Sequence, residues 1–114
     1  MKYIIDIDGT ICTLVENGNY LKAQPIKKRI DEINRLYDEG HTVIYQTARG
    51  MGRHENVPKL AIYEFQAFTA KQLHDWGAKH HALFLGKPAG DVYIDDKAIN
   101  ADDFFGGDIE NEVC

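Results

Sequence analysis

Short apolar runs alternate with longer amphipathic segments along this chain, and this pattern is typical of strands separated by helices. Residues 3–7 form an apolar, isoleucine-rich run that leads into Asp-Gly-Thr, which predicts a buried strand ending in a tight turn. A second strand is predicted over residues 42–46. Two further short strands are predicted over residues 82–85 and 92–94.

Two helices are predicted between these strands. The first begins near Pro25 and ends at Gly40, and its apolar residues recur at spacings of three and four, which places them on one face. The second begins at Pro58 and ends at Gly77, but its apolar residues are spread too widely for one stripe. Such a helix is either deeply buried or shared between the core and a subunit contact, so a homo-oligomer is expected.

The remaining segments carry turn signals. Residues 11–24 have no clear period and contain Asn-Gly-Asn, which predicts a small hairpin flap. A short helix is expected near Ala98, and a loosely held tail over residues 106–114. The order of elements predicts one domain over residues 1–114. Its fold would be a Rossmann-like three-layer α/β/α sandwich with a mainly parallel sheet.

Composition supports an ordinary globular protein. Hydrophobic residues make up 44% and charged residues 27% of the 114 positions, which excludes wholesale disorder. The net charge of −5 makes duplex nucleic acid an improbable partner. No apolar run approaches the roughly 18 residues of a membrane span. The two cysteines, Cys12 and Cys114, have no metal-binding spacing and are expected as free thiols, which favours a cytoplasmic location.

Polar residues follow each predicted strand, at the edge where open α/β sheets bind ligands. They are Asp6 and Asp8 after the first strand, Thr47 and Arg49 after the second, Lys87 after the third, and Asp95 and Asp96 after the fourth. Two carboxylates 4 Å apart repel by about 4 kcal/mol at an effective dielectric constant of 20, so converging carboxylates need a cation. An all-oxygen ligand set predicts Mg²⁺.

The segment from Asp6 to Thr10 has a chemistry of its own. Asp6 and Asp8 are two residues apart, so their side chains can face the same side of the chain while Ile7 enters the core. One carboxylate could attack phosphorus while the other protonates the leaving oxygen. Gly9 allows a sharp turn with backbone N–H groups near a phosphate, and Thr10 could cap that turn or brace Asp6.

With these motifs, the sequence resembles the haloacid dehalogenase superfamily of phosphotransferases. Four motifs occur in the family's order: Asp6 to Thr10, Thr47 at the end of an apolar strand, Lys87, and the acidic pair Asp95 and Asp96. The short connection before the first helix resembles the small members that lack a cap domain. Among these, the chain looks most like phosphatases found with capsule and surface-polysaccharide genes.

The resemblance implies a role for each matching residue. Asp6 would be the nucleophile and a Mg²⁺ ligand, and Asp8 the general acid and base, with its backbone carbonyl also on the metal. Thr47 would bind the transferring phosphoryl group, and Lys87 would neutralise its charge. Asp95 would complete the metal site, with Asp96 at its edge and Asn100 as a weaker candidate beside it. The candidate substrate-binding residues lie next to these motifs: Gly9, Thr10, Ala48, Arg49, Arg53 and His54.

The expected function is therefore a Mg²⁺-dependent phosphomonoester hydrolase with an aspartyl-phosphate intermediate, acting on a small phosphorylated metabolite such as a sugar phosphate. Three alternatives stay open. A polynucleotide 3′-phosphatase has similar motifs, but the acidic charge counts against it. A dehalogenase would not need the acid Asp8. A catalytically silent protein that binds phosphate or Mg²⁺ as a partner subunit is the third.

Overall fold

The structure, a computed structural model, describes residues 1–106. Three strands form one parallel sheet in the order β1-β2-β3: β1 (Lys2–Asp6), β2 (Thr42–Thr47) and β3 (Ala82–Leu85). Three α-helices accompany them: α1 (Lys27–Asp38), α2 (Pro58–Asp75) and α3 (Ala101–Phe104). Because α1 and α2 each connect two neighbouring parallel strands, the predicted Rossmann-like α/β fold with an open parallel sheet is confirmed.

The core lies on one face of this sheet. Side chains alternate between the two faces of a strand, so Ile5 of β1 and its register partner Tyr45 of β2 point the same way, and both are buried. Ile33 of α1 and Leu73 of α2 belong to the same buried cluster. On the opposite face, the side chain of Phe84 in β3 is 60% exposed, so the third layer of the predicted sandwich is not formed within residues 1–106. Burial of the first face therefore supplies most of the hydrophobic stabilisation.

Both long helices end as their sequences predict. Gly40 after α1 has a φ of 95°, and Gly77 after α2 has a φ of 70°, a left-handed conformation that favours glycine. Pro58 occupies the first turn of α2, where a missing N–H costs nothing. The first helix starts slightly later than expected, with Ile26 as the residue before its first turn.

The prediction of a fourth strand is wrong. Residues 92–94 form no strand, and the side chains of Val92 and Ile94 are 75% and 95% exposed. The physical reason is the length of the connection. Only residues 86–91 separate this segment from the end of β3, whereas neighbouring parallel strands need a crossover of a dozen or more residues. Residues 92–94 have the apolar pattern of a strand, but their connection to β3 is too short for the two segments to pair in parallel.

The flap, residues 11–24, is not the expected hairpin. It is closed at its base by two hydrogen bonds, from Thr13 N–H to the Gln24 carbonyl (2.9 Å) and from Gln24 N–H to Thr13 Oγ1 (3.0 Å). Its second half contains one turn of 3₁₀ helix, Tyr20–Lys22. A hairpin needs an apolar face to bury, and here Leu14 and Leu21 are both largely exposed.

Two further expectations concern the ends of the chain and the membrane. The short helix predicted near Ala98 is present as α3. The predicted loose tail, apart from Gly106, lies outside the described residues. Within residues 1–106, no helix is both long enough and apolar enough to cross a bilayer.

Candidate active site

A cleft of about 320 Å³ opens where β1 and β2 end. Six residues singled out from the sequence line it: Asp6, Asp8, Thr47, Ala48, Arg49 and Lys87. Four residues that the sequence did not single out also line it: Leu14, Val15, Tyr20 and Tyr93. The ends of two parallel strands and the loop after β3 therefore converge as the topology predicts.

Asp6 lies beside Lys87 in this cleft. The Lys87 Nζ is 3.5 Å from Asp6 Oδ1, and the Thr10 hydroxyl donates to Asp6 Oδ2 at 3.3 Å. Burial raises the pKa of the Asp6 carboxyl above its usual range, and the charge of Lys87 opposes that effect. The Lys87 Nζ also lies 4.2 Å from the centroid of the Tyr93 ring. A partly desolvated carboxylate is thus held next to one positive charge.

The loop that carries Lys87 is attached to β2 and α2. The Lys87 N–H donates to the carbonyl of Thr47 at 3.2 Å. Gly86 has a φ of 101°, and a Cβ there would lie 3.1 Å from the Cβ of Pro58. A side chain at position 86 would therefore meet both backbone strain and the first turn of α2. Glycine at this position lets the loop pass close to α2 and bring the lysine to Asp6.

Asp8 is held by the most buried charge near the cleft. Arg49 Nε donates to Asp8 Oδ2 at 2.9 Å, and Arg49 Nη2 donates to Asp8 Oδ1 at 3.0 Å. The Arg49 side chain is fully buried, whereas that of Asp8 is 18% exposed. Arg49 Nη1 donates to the Thr69 hydroxyl, and its guanidinium carbon lies 4.7 Å from the centroid of the Tyr20 ring. These contacts hold the Asp8 carboxylate on its buried side, and the exposed part of its surface faces the cleft.

Cys12 contributes a third hydrogen bond to Asp8. Its Sγ donates to Asp8 Oδ1 at 3.4 Å and lies 3.6 Å from the carbonyl oxygen of Ile7. Burial raises the pKa of the Cys12 thiol to about 12, and the neighbouring Asp8 charge adds to the increase. The thiol is therefore a protonated donor. From the sequence, Cys12 was expected only as a free thiol.

Thr47 is placed to bind a ligand. Its side chain is buried at the end of β2, and Thr47 Oγ1 accepts the N–H of Arg49 at 3.0 Å. Because that contact uses an oxygen lone pair, the hydroxyl proton can be donated into the cleft. Ala48, between these two residues, also lines the cleft.

Gly9 and Thr10 stabilise the turn rather than offer their amides to a ligand. The Gly9 N–H donates to the carbonyl of Cys12 at 2.9 Å, and the Thr10 N–H donates to the carbonyl of Ile7 at 3.0 Å. Gly9 has a φ of 79°, as the predicted turn requires. The expected backbone contact with phosphate is thus replaced by bonds within the loop, while the predicted bracing of Asp6 by Thr10 is present.

Arg53 and His54 lie outside the cleft. Arg53 Nη1 is 2.5 Å from Glu64 Oε2, and His54 Nε2 is 2.7 Å from Glu64 Oε1. The hydrogen bond from His54, helped by the charge of Arg53, lowers the pKa of Glu64. The sequence predicts both as substrate-binding residues; in the structure neither lines this cleft, and each contacts Glu64 of α2.

The four predicted metal ligands are not brought together. Asp6 and Asp8 share the cleft, but Asp95 and Asp96 are exposed and do not line it. Asp95 Oδ1 accepts the N–H of Lys97 at 2.9 Å. In the described part of the chain, no three acidic, histidine or cysteine side chains are grouped so that they could hold a metal ion. These donors therefore do not fit Mg²⁺ in this arrangement, because the strand expected to carry Asp95 is not formed.

Arg29 of α1 is a residue that the sequence reasoning missed. Its buried guanidinium donates to the carbonyl of Thr10 at 3.1 Å and to Asp102 Oδ1 at 2.9 Å, and it lies 4.6 Å from the centroid of the Phe105 ring. A signal was present. Arg29 lies between Ile26 and Ile33 at helical spacings, so it shares the apolar face of α1.

Asn100, a weaker candidate for the metal site, has another function. Its Oδ1 accepts the N–H of Asp102 at 2.9 Å and so caps α3. This cap fixes the start of α3, the helix that places Asp102 beside Arg29.

Comparison with known proteins shows the fold and leaves the function open. No family model matches the chain, and no curated protein matches it. The crystal structure of an MCSG target from Vibrio cholerae is similar, with a TM-score of 0.78 and 26% sequence identity. The match covers 96% of this chain and 91% of that one. The arrangement of strands and helices described above is therefore shared with a solved protein over nearly the full length of both chains.

Proposed function

We propose that this protein is a phosphomonoester hydrolase in which Asp6 is the nucleophile. The observation that carries the proposal is the pairing of Asp6 with Lys87 in a cleft that also contains the Thr47 hydroxyl. A carboxylate nucleophile, a cation and a hydroxyl donor are the groups needed to form an aspartyl-phosphate and to stabilise its transition state. The resemblance of the sequence motifs to the haloacid dehalogenase superfamily supports the same assignment.

In the first step, an oxygen of Asp6 attacks phosphorus and a phosphorus–oxygen bond forms. The bond from phosphorus to the ester oxygen breaks, and that oxygen leaves with the electron pair and takes up a proton from Asp8. Lys87 lies close enough to Asp6 to offset negative charge on the transferring group. The Thr47 hydroxyl supplies a hydrogen bond to one phosphoryl oxygen. Such positioning and charge stabilisation are the main contributions to phosphoryl transfer.

In the second step, water attacks the phosphorus of the aspartyl-phosphate, and Asp6 is released. Asp8 faces the same cleft and takes the proton of that water. Its two hydrogen bonds from Arg49 hold the carboxylate in position to accept that proton.

The finer parts of the expected function stay predictions. Magnesium dependence is one, because the structure does not group the four predicted ligands, and no step above uses a metal. The sugar-phosphate substrate, the cytoplasmic location and the homo-oligomer are others. The free thiol of buried Cys12 supports a reducing compartment.

Phosphate release from a panel of phosphomonoesters tests the proposal. The panel contains sugar phosphates, nucleotides, phosphoglycerates and a 3′-phosphorylated oligonucleotide, each with Mg²⁺ and with EDTA. We expect turnover of at least one compound and its loss in Asp6→Asn. Asp75→Asn, an exposed aspartate paired with Lys71, is the matched control and keeps full activity.

Other outcomes select the alternatives. Turnover of the oligonucleotide alone would favour a polynucleotide 3′-phosphatase. No release from any compound by the folded protein would favour the catalytically silent binding protein and contradict the proposal.

A further inference from the structure

A second pocket, of about 210 Å³, adjoins the cleft across Tyr20. Tyr20 lines both spaces, and Gly50, which lines the second one, follows directly after Arg49 of the cleft. We call this second space the side pocket and define it by Tyr20, Phe65, Arg53 and the backbone of Gly18 and Gly50. Its position next to the cleft is where the rest of a substrate would lie once its phosphate is beside Asp6.

The side pocket has two aromatic sides. The rings of Tyr20 and Phe65 meet edge to face, with centroids 5.1 Å apart and planes at 89°. The Tyr20 hydroxyl accepts the N–H of Gly50 at 3.3 Å, which ties the flap to the loop after β2. A Cβ at position 50 would lie 2.6 Å from the Phe65 ring. Backbone and aromatic ring therefore pack too closely here for any residue larger than glycine.

The polar side of the pocket carries little net charge. Arg53 lies 5.6 Å from the centroid of the Phe65 ring, and one of its terminal nitrogens is bound to Glu64. His54 binds the other oxygen of the same carboxylate. Because Glu64 offsets the guanidinium charge, a second phosphate or a carboxylate would bind less strongly here than beside an unpaired arginine. The other N–H groups of Arg53 can still donate to neutral acceptors.

We propose that the side pocket binds the leaving group of the phosphomonoester and that it selects a neutral, hydroxyl-bearing ring. The apolar face of such a ring packs on Phe65 and Tyr20, and its hydroxyls accept hydrogen bonds from Arg53. The volume suits one ring, since pockets for larger ligands span about 300–1,000 Å³. This inference rests on the proposed function, and it makes Arg53 and Phe65 specificity-determining residues.

Steady-state kinetics on two substrates test it. Glucose 6-phosphate offers a ring to the side pocket, whereas glycerol 1-phosphate offers only a short acyclic chain. We expect Arg53→Gln and Phe65→Leu to raise KM for glucose 6-phosphate about tenfold with little change in kcat. Turnover of glycerol 1-phosphate stays within about twofold of the wild type. Arg35→Gln, which removes an exposed ion-paired arginine on α1, changes neither. Equal effects on both substrates, or none on glucose 6-phosphate, would overturn the proposal.

A binding measurement separates this inference from the phosphatase assignment. Saturation-transfer NMR with methyl α-glucopyranoside needs no phosphate and no turnover. Transfer to the ring protons in the wild type, lost in Phe65→Leu and Arg53→Gln, supports the side pocket even if no compound releases phosphate. Absence of transfer from the wild type, or transfer that both variants retain, overturns the side pocket whether or not the enzyme is active.

Discussion

The fully buried guanidinium of Arg49 donates two hydrogen bonds to Asp8. The Asp8 side chain is partly exposed to the cleft, whereas that of Arg49 is not. The arginine was expected to bind substrate from the sequence. Its Nε and both terminal nitrogens instead donate to Asp8 and Thr69. A guanidinium held in this way fixes the direction of the carboxylate. Arg49, two residues after Thr47, therefore orients Asp8 in the loop that follows β1.

Replacement of Arg49 by methionine is expected to lower the free energy of unfolding by about 3 kcal/mol, because it leaves the Asp8 charge partly buried without its partner. The double variant with Asp8→Asn should recover part of that loss. Urea unfolding of both single variants and the double variant gives the coupling energy. Arg35→Met, which removes an exposed ion-paired arginine, should cost less than about 1 kcal/mol. An Arg49→Met loss no larger than this control would contradict the prediction.

Replacement of Lys87 by methionine is expected to reduce kcat/KM by about 10²–10³-fold, the usual cost of one stabilising donor. It should also move the acid limb of the pH profile to higher pH. Lys87 lowers the pKa of Asp6, so without it Asp6 stays protonated, and unreactive, up to a higher pH. The pH dependence of kcat/KM measures this change. Lys97→Met is the control, and an acid limb that does not move in Lys87→Met would count against the pairing.

Replacement of Gly50 by alanine is expected to destabilise the fold, because Gly50 has a φ of 78° and its new Cβ would lie 2.6 Å from Phe65. The backbone conformation costs about 1–2 kcal/mol and the overlap a further 1–3 kcal/mol. Gly52 in the same loop has open space around it and no positive φ, so Gly52→Ala should change stability little. Thermal and urea unfolding of the two variants would reveal the difference, and equal stabilities would refute it.

Cys12 is expected to be unreactive towards a disulfide reagent at pH 8 in the native protein. A Cys114→Ser background leaves Cys12 as the single thiol, so labelling should follow only global unfolding. The pKa of about 12, raised from the usual 9.0, also predicts how the free energy of unfolding depends on pH. The protonated thiol makes its full contribution to that free energy below pH 9, and the contribution is lost as the pH rises from 9 towards 12. Rapid labelling of the folded protein would show that the thiol is accessible.

The sequence was sufficient to predict the elements whose patterns are local. The spacing of Ile26, Ile30 and Ile33 predicts α1, and the glycines after α1 and α2 predict where those helices end. The same reasoning predicts that Asp6, Thr47 and Lys87 lie at one edge of the sheet, because neighbouring parallel strands end on the same side of it. Those parts of the site depend only on topology, and the structure has them together.

The errors arose where distant segments decide the outcome. Residues 92–94 have the composition of a strand, but whether they pair depends on the length of the connection from β3. Arg49 was assigned to substrate because no sequence pattern shows that Asp8 and Thr69 would surround its guanidinium. For Arg29, the position on an apolar face was a usable signal, since a charge placed there must be paired.

Arg29 also sets an order of events during synthesis. The loop after β1 is made before α3, and the carbonyl of Thr10 in that loop accepts a hydrogen bond from Arg29. Asp102 and Phe105, which contact Arg29 in turn, are made only after all three strands. Because a growing chain folds from its N-terminal end, the loop after β1 cannot reach its final environment until α3 has been made. A nascent chain that stops before residue 101 would have all three strands and still lack the residues that hold Arg29 against Thr10.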